Sequence, residues 1–147
     1  MESQPRPLFH ILLHIGRLLE ARIAAELEGH GIHHGQARVL AQLRHGPMQQ
    51  ADLARRLGCT APTASVMVRP MLAAGWLKRV ADPARPQGRV LALSPLGKRL
   101  AAQAAKAWAR VEQELQRAID DDDAALLDNL ETIRSALGGI DPTGRPS

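Results

Sequence analysis

The stretch Gln49–Leu100, QQADLARRLGCTAPTASVMVRPMLAAGWLKRVADPARPQGRVLALSPLGKRL, decides the fold. Ala51 to Leu57 reads as a short helix. Gly58-Cys59-Thr60 reads as a turn, and Ala61 to Ala74 as a second helix that Gly75 ends. Two short apolar runs follow, Trp76 to Val80 and Arg89 to Leu93, joined by Asp82-Pro83-Ala84-Arg85-Pro86-Gln87-Gly88. The order is helix, tight turn, helix, strand, wing, strand. A unit of that order lays its second helix in a DNA major groove.

Charge points the same way. Nine basic residues lie between Gln49 and Leu100: Arg55, Arg56, Arg69, Lys78, Arg79, Arg85, Arg89, Lys98 and Arg99. Only Asp52 and Asp82 oppose them, so the stretch carries +7. Residues 1–48 carry +1 and residues 101–147 carry −4, within a chain of net charge +4. Positive charge therefore gathers on the motif, where phosphates and released counterions favour binding.

Composition narrows the class. The 147 residues suffice for one domain with a real core, and 45% hydrophobic with 23% charged residues is ordinary for a globular protein. Phe9, Trp76 and Trp108 are the whole aromatic inventory. That scarcity weighs against single-stranded nucleic acid, which is gripped by stacking rings. The single cysteine, Cys59, excludes an intramolecular disulfide and fits a reducing compartment. No apolar run approaches the roughly 18–20 residues of a membrane span, and the N-terminus does not read as a signal peptide. A cytoplasmic protein without a membrane segment is expected.

Outside the motif the pattern is helical. Residues 1–7 read as a loose arm. From Leu8 to Glu28, Leu8, Leu12, Ile15, Leu19 and Ile23 recur at spacings of three and four, and Gly29-His30-Gly31 stops the run. Gln36 to Arg44 reads as a shorter helix, ended by Gly46-Pro47. Ser94-Pro95 reads as N-cap and first residue of a long helix to Ile119, with Leu96, Leu100, Ala104, Ala107, Val111, Leu115 and Ile119 as its seam. Asp120 to Asp123 precede a last helix, Ala124 to Leu137, which Gly138-Gly139 ends. The expected fold class is mainly α: a winged helix-turn-helix, with a three-helix reader and a two-stranded wing, flanked by N- and C-terminal helices that form a dimerisation region. Its parts are an arm and dimerisation helix over 1–34, the reader over 35–95, dimerisation helices over 96–140, and a disordered tail over 141–147. A homodimer presents two recognition helices one helical turn apart and reads a palindrome.

The chain resembles the MarR family of bacterial transcription regulators. Asp52-Leu53-Ala54-Arg55-Arg56-Leu57-Gly58 looks like that family's first reader helix, and Ala74-Gly75-Trp76-Leu77 like its step into the wing. Leu93-Ser94-Pro95-Leu96-Gly97 looks like its entry to the long dimer helix, and Ile32 to Leu43 matches its second helix, with Gln36, Val39 and Leu40 in place. The resemblance covers residues 8–138. It implies a homodimeric winged-helix transcription factor, usually a repressor released by a small ligand. Two departures stand out. The wing's acidic partner is missing after Asp82-Pro83, although Arg85 and Arg89 remain, Arg85 to enter a narrow minor groove. Val66 stands where the family often has a basic residue. The DNA-facing candidates are Thr60, Thr63, Ser65, Val66 and Arg69 on the second helix, and Arg79, Arg85 and Arg89 on the wing. Thr60 is first an N-cap; Val66 suits a thymine methyl, and Arg69 a guanine or phosphate. Of the adjacent Arg55 and Arg56, at most one is expected at a phosphate. Pro70 predicts a kink or a weakened last turn, and Cys59 a buried structural thiol.

The histidines form a second set. His10 and His14 lie one turn apart with Arg17 on the same stripe; His33 and His34 precede the second helix, and Arg38 follows one turn after His34. The resemblance implies an effector pocket between the dimer helices and the reader, lined by these two regions. Imidazoles with an arginine suit an anionic planar ligand, such as a benzoate-, salicylate- or nicotinate-like acid. A metal held by histidines at i and i+4 is the competing reading, and a ligand-free architectural DNA-binding protein is a third. No enzyme is expected, because no catalytic spacing is present and His10-Ile11-Leu12-Leu13-His14 lacks the glutamate of a zinc protease helix. No cofactor or structural metal is expected either.

Overall fold

The computed structural model describes residues 6–119 and 124–139. Six helices and one hairpin follow in order: α1 Leu8–Glu28, α2 His34–Leu43, α3 Gln50–Leu57, α4 Ala61–Ala73, β1 Leu77–Asp82, β2 Arg85–Leu93, α5 Pro95–Ala118 and α6 Ala124–Ala136. The protein is a winged helix carried on long terminal helices. Residues 1–5, the Asp120–Asp123 run and the tail from 140 onward lie outside the described residues.

Local chemistry sets most boundaries. Gly58 ends α3 at φ 67°, a left-handed conformation open to glycine, and Cys59 N–H returns to the Ala54 carbonyl at 3.1 Å. Thr60 then caps α4, its hydroxyl accepting from Thr63 N–H at 3.3 Å. Gly75, at φ 73°, ends α4 and turns the chain into β1. Ser94 caps α5 by accepting from Gly97 N–H at 3.0 Å, and Pro95 fills the first helical position.

The core joins the reader to the long helix. Leu40, Leu53, Met71 and Leu91 are fully buried and come from α2, α3, α4 and β2. Ala101, Ala104 and Ala107 bring α5 against them. Among the described residues no polar or charged side chain is buried. Met48 adds a bridge to β2, giving and receiving bonds with Leu91 at 3.1 and 2.8 Å.

Several expectations need correction. Helix α2 begins at His34 rather than Gln36, because Gln36 serves as the N3 partner of His33 and its Oε1 accepts from His33 N–H at 3.0 Å. The wing is tighter than a seven-residue loop. Asp82 pairs with Arg85 across a two-residue turn, and Asp82 Oδ1 accepts from Ala84 N–H at 2.9 Å. Ala81 pairs with Arg89, so Pro86-Gln87-Gly88 bulge out of β2, where Pro86 loses no ladder bond. The α5 seam runs through Gly97 and Ala101 rather than Leu96 and Leu100, which are half-buried, while Leu115 and Ile119 are exposed. At Gly97 α5 approaches the Trp76 backbone too closely for any side chain. Pro70 lies inside α4, which continues to Ala73. Cys59 is half-buried, packed at the edge of the core.

Candidate nucleic-acid interface

Helix α4 has two unlike sides. Ala64, Val68 and Met71 are buried, whereas Pro62, Thr63, Val66, Arg69 and Pro70 are exposed. The reader's turn leaves Thr60 and Thr63 exposed at the helix start, with their hydroxyls bonded to each other at 2.9 Å. Ser65 is half-buried beside them.

The wing supplies the charge. Arg85 flanks its turn and Arg89 closes its bulge, and both are exposed. Asp82 steadies the tip. Its carboxyl is held below the usual carboxylate range by Ala84 N–H, then by the Gln49 amide at 3.2 Å, and by the charge of Arg85. Arg79 lies further down β1 and donates to Gln50 Oε1 at 3.2 Å, tying the strand to the start of α3. Between α3 and the wing lies a cleft of about 930 Å³ lined by Gln49, Asp52, Arg55, Arg56, Asp82 and Arg85. Arg55 forms an ion pair with Asp52. Both adjacent arginines line one cleft. The signal was long-range: the Gln49–Asp82 and Arg79–Gln50 bonds bring the wing beside α3.

The histidine set is divided. His33 and His34 line a cavity of about 530 Å³ with Ala21, Ala24, Glu28 and Ile32. His10, His14 and Arg17 are exposed on the first half of α1 and do not line it. Arg38 donates to the Leu57 carbonyl at 2.7 Å, linking α2 to the last turn of α3. The His34 imidazole is held below its ordinary value, chiefly by partial desolvation and next by the charge of Arg38, against the pull of Glu20. Among the described residues no three His, Cys, Asp or Glu side chains gather as a metal ligand set.

An ionic ladder between α1 and α5 escaped the sequence reading. Arg22 grips Glu114 through Nε at 2.8 Å and its terminal nitrogen at 2.5 Å, and reaches Glu26 at 2.6 Å. Arg110 closes the ladder on Glu26 at 3.0 Å. Glu26 and Glu114 are each held below the usual carboxylate range, first by the Arg22 bond. Only the Arg22–Glu26 spacing of four was visible beforehand.

Residues 30–85 match the model of the MarR family. Over that stretch the chain is similar to the MarR family. No curated protein matches the chain in sequence. Among solved structures, the S. aureus MepR–DNA complex superposes with a TM-score of 0.79 at 20% identity, covering 90% of this chain and 99% of that one. CouR bound to a 23-mer DNA duplex gives 0.76 at 24% identity, covering 89% and 99%. The reduced form of MarR from E. coli gives 0.72 at 20%, covering 88% and 97%. At these identities the likeness establishes the MarR-type architecture across both the reader and its flanking helices. Among the described residues no helix is long and apolar enough to cross a membrane.

Proposed function

We propose that this chain is a sequence-specific regulator of transcription that binds double-stranded DNA as a homodimeric repressor and is released by a small anionic aromatic ligand. One observation carries the reading: the exposed side of α4 stands beside an arginine-tipped wing. The 13-residue helix is about 20 Å long, enough to lie in a major groove about 12 Å wide. Arg85 and Arg89 then face the neighbouring minor groove. MepR and CouR, similar in fold, were solved with DNA.

Exposed apolar surface supports the dimer. Leu8, Phe9, Ile11, Leu13, Ile15 and Leu18 stand exposed along α1, and α6 buries none of its residues. Patches of this kind mark association surfaces. Two copies joined there place two α4 helices on one face of a palindromic operator, in the cytoplasm where the chromosome lies. The effector site of this reading is the cavity at His33 and His34. Its size fits a single aromatic ring, the imidazoles attract a carboxylate, and Glu28 accepts from a ring hydroxyl.

A band-shift titration at fixed salt tests the proposal, with palindromic and random duplexes and salicylate as the probe. The expected result is tighter retention of a palindrome, lost as salicylate is added. Equal retention of both duplexes favours an architectural protein. Release by divalent zinc but not salicylate favours a metal-responsive one. No retention in dilute buffer refutes the proposal.

A further inference from the structure

We infer that α4 reads the C5-methyl group of pyrimidines in the major groove, with Val66 as its specificity residue. The inference rests on the DNA-binding reading above and concerns what the reader recognises.

Val66 is 70% exposed at the centre of the outward side of α4. Pro62 and Pro70 flank it one turn away on each side, both exposed, so the ridge that projects furthest carries no donor or acceptor. Isolated exposed valines are unremarkable. This one lies in the helix half that meets base edges in helix-turn-helix proteins. The neighbouring polar groups are already engaged or turned aside. The Thr63 hydroxyl is bonded to Thr60 at 2.9 Å, and Ser65 is half-buried. Arg69 is the one exposed cation of α4, about 9 Å further along the axis than Thr63.

No side chain on this half makes the paired hydrogen bonds that single out guanine or adenine. What the ridge offers is methyl surface. Thymine presents a C5-methyl beside its O4 acceptor, whereas cytosine presents an N4 amino group that needs a partner. Valine against the methyl removes apolar surface from water on both sides. Valine against the amino group leaves a donor desolvated and unpaired. The ridge therefore favours thymine, and also cytosine that carries a C5-methyl, over unmethylated cytosine.

The experiment starts from a duplex selected out of a random library by the full-length protein. Thymines in that duplex are replaced one at a time by deoxyuridine, which removes the methyl and keeps the base pair. Binding should weaken about fourfold for each contacted methyl, the value of one CH₂-sized apolar group. Val66→Ser should bind the thymine and deoxyuridine duplexes alike, while Val66→Ile should keep the difference. Where cytosine replaces a contacted thymine, 5-methylcytosine should restore a similar factor. Equal wild-type affinity for thymine and deoxyuridine duplexes, or undiminished discrimination by Val66→Ser, overturns the inference and leaves DNA binding standing. Retention of no duplex at all overturns both.

Discussion

Gly97→Ala should cost far more than any other glycine-to-alanine change in the reader. A methyl group at Gly97 would stand 2.0 Å from the Trp76 carbonyl oxygen and 3.0 Å from its carbon, against an ordinary carbon–oxygen contact of about 3.3 Å. Both obstructing atoms are backbone, so no side chain swings aside. Either α5 retreats from the wing by more than about 1 Å, or Trp76 shifts and strains the 3.0 Å bond from Ser94 N–H to its carbonyl. Forced overpacking of this kind costs about 1–3 kcal/mol, and a backbone obstruction belongs at the upper end. For a chain of this size, about 3 kcal/mol is a fall of roughly 10 °C in Tm. Gly29→Ala is the control. Gly29 has φ −60° and nothing within 4 Å of the new methyl, so the change should stabilise by about 0.4–1 kcal/mol through the unfolded chain. Urea unfolding at fixed protomer concentration measures both. A loss under about 1 kcal/mol for Gly97→Ala, with unchanged m, would refute the claim that this junction is packed backbone to backbone.

Three shorter predictions concern charge and association. Arg85→Ala should reduce the slope of log K against log salt by about one unit, measured by band shift, and an unchanged slope removes Arg85 from the phosphates. On the proposed dimer, Ile15→Lys places a cation in the exposed α1 stripe and should convert the sedimenting species from dimer to monomer; an unaltered sedimentation coefficient removes the α1 stripe from any interface. Glu26 and Glu114 titrate below their ordinary 4.5 in the folded chain, so their contribution is complete above about pH 4.5 and vanishes as pH falls through the lower folded values. Glu114→Gln should therefore lower stability at pH 7 and flatten its decline below pH 4.5, whereas curves parallel to wild type contradict the ladder.

What was legible in the sequence was local. Thr60 and Ser94 are caps because a hydroxyl three residues before a free N–H closes its own bond. Gly58 and Gly75 end helices because they take the left-handed conformation that side chains resist. The α1 stripe was plain from its spacing, though spacing alone did not reveal that its first half lies exposed on one chain. The wing tip misled because Asp82 turns the chain through its own side chain, and because a three-residue bulge hides inside what reads as loop. The α5 seam misled in another way. Leucine at 96 and 100 looks like core, yet the helix buries Gly97 and Ala101, and at Gly97 it comes so near the Trp76 backbone that only glycine fits. The Arg22–Glu114 pair and the Arg38–Leu57 bond span 92 and 19 residues, distances at which charge and spacing carry no signal.

Arg38 also bears on how a ligand at His33 and His34 would reach the DNA reader. Helix α2 is ten residues long, about 15 Å, with those histidines at its start and Arg38 one turn further on. The guanidinium holds the Leu57 carbonyl at 2.7 Å, and Gly58, Cys59 and Thr60 then lead directly into α4. On the proposed reading, a ligand that tilts α2 would act on the recognition helix through that contact. A part-buried hydrogen bond from a charged donor is worth about 2 kcal/mol, which bounds coupling by this route at roughly thirtyfold in DNA affinity. Arg38→Met keeps the apolar stem and removes the donor. On the proposed reading it should still show a thermal shift with salicylate, while salicylate weakens its grip on duplex DNA less than in wild type. Full release by salicylate in Arg38→Met would mean that the signal leaves α2 by another path, the packed Val39, Leu40 and Leu43 being the remaining one.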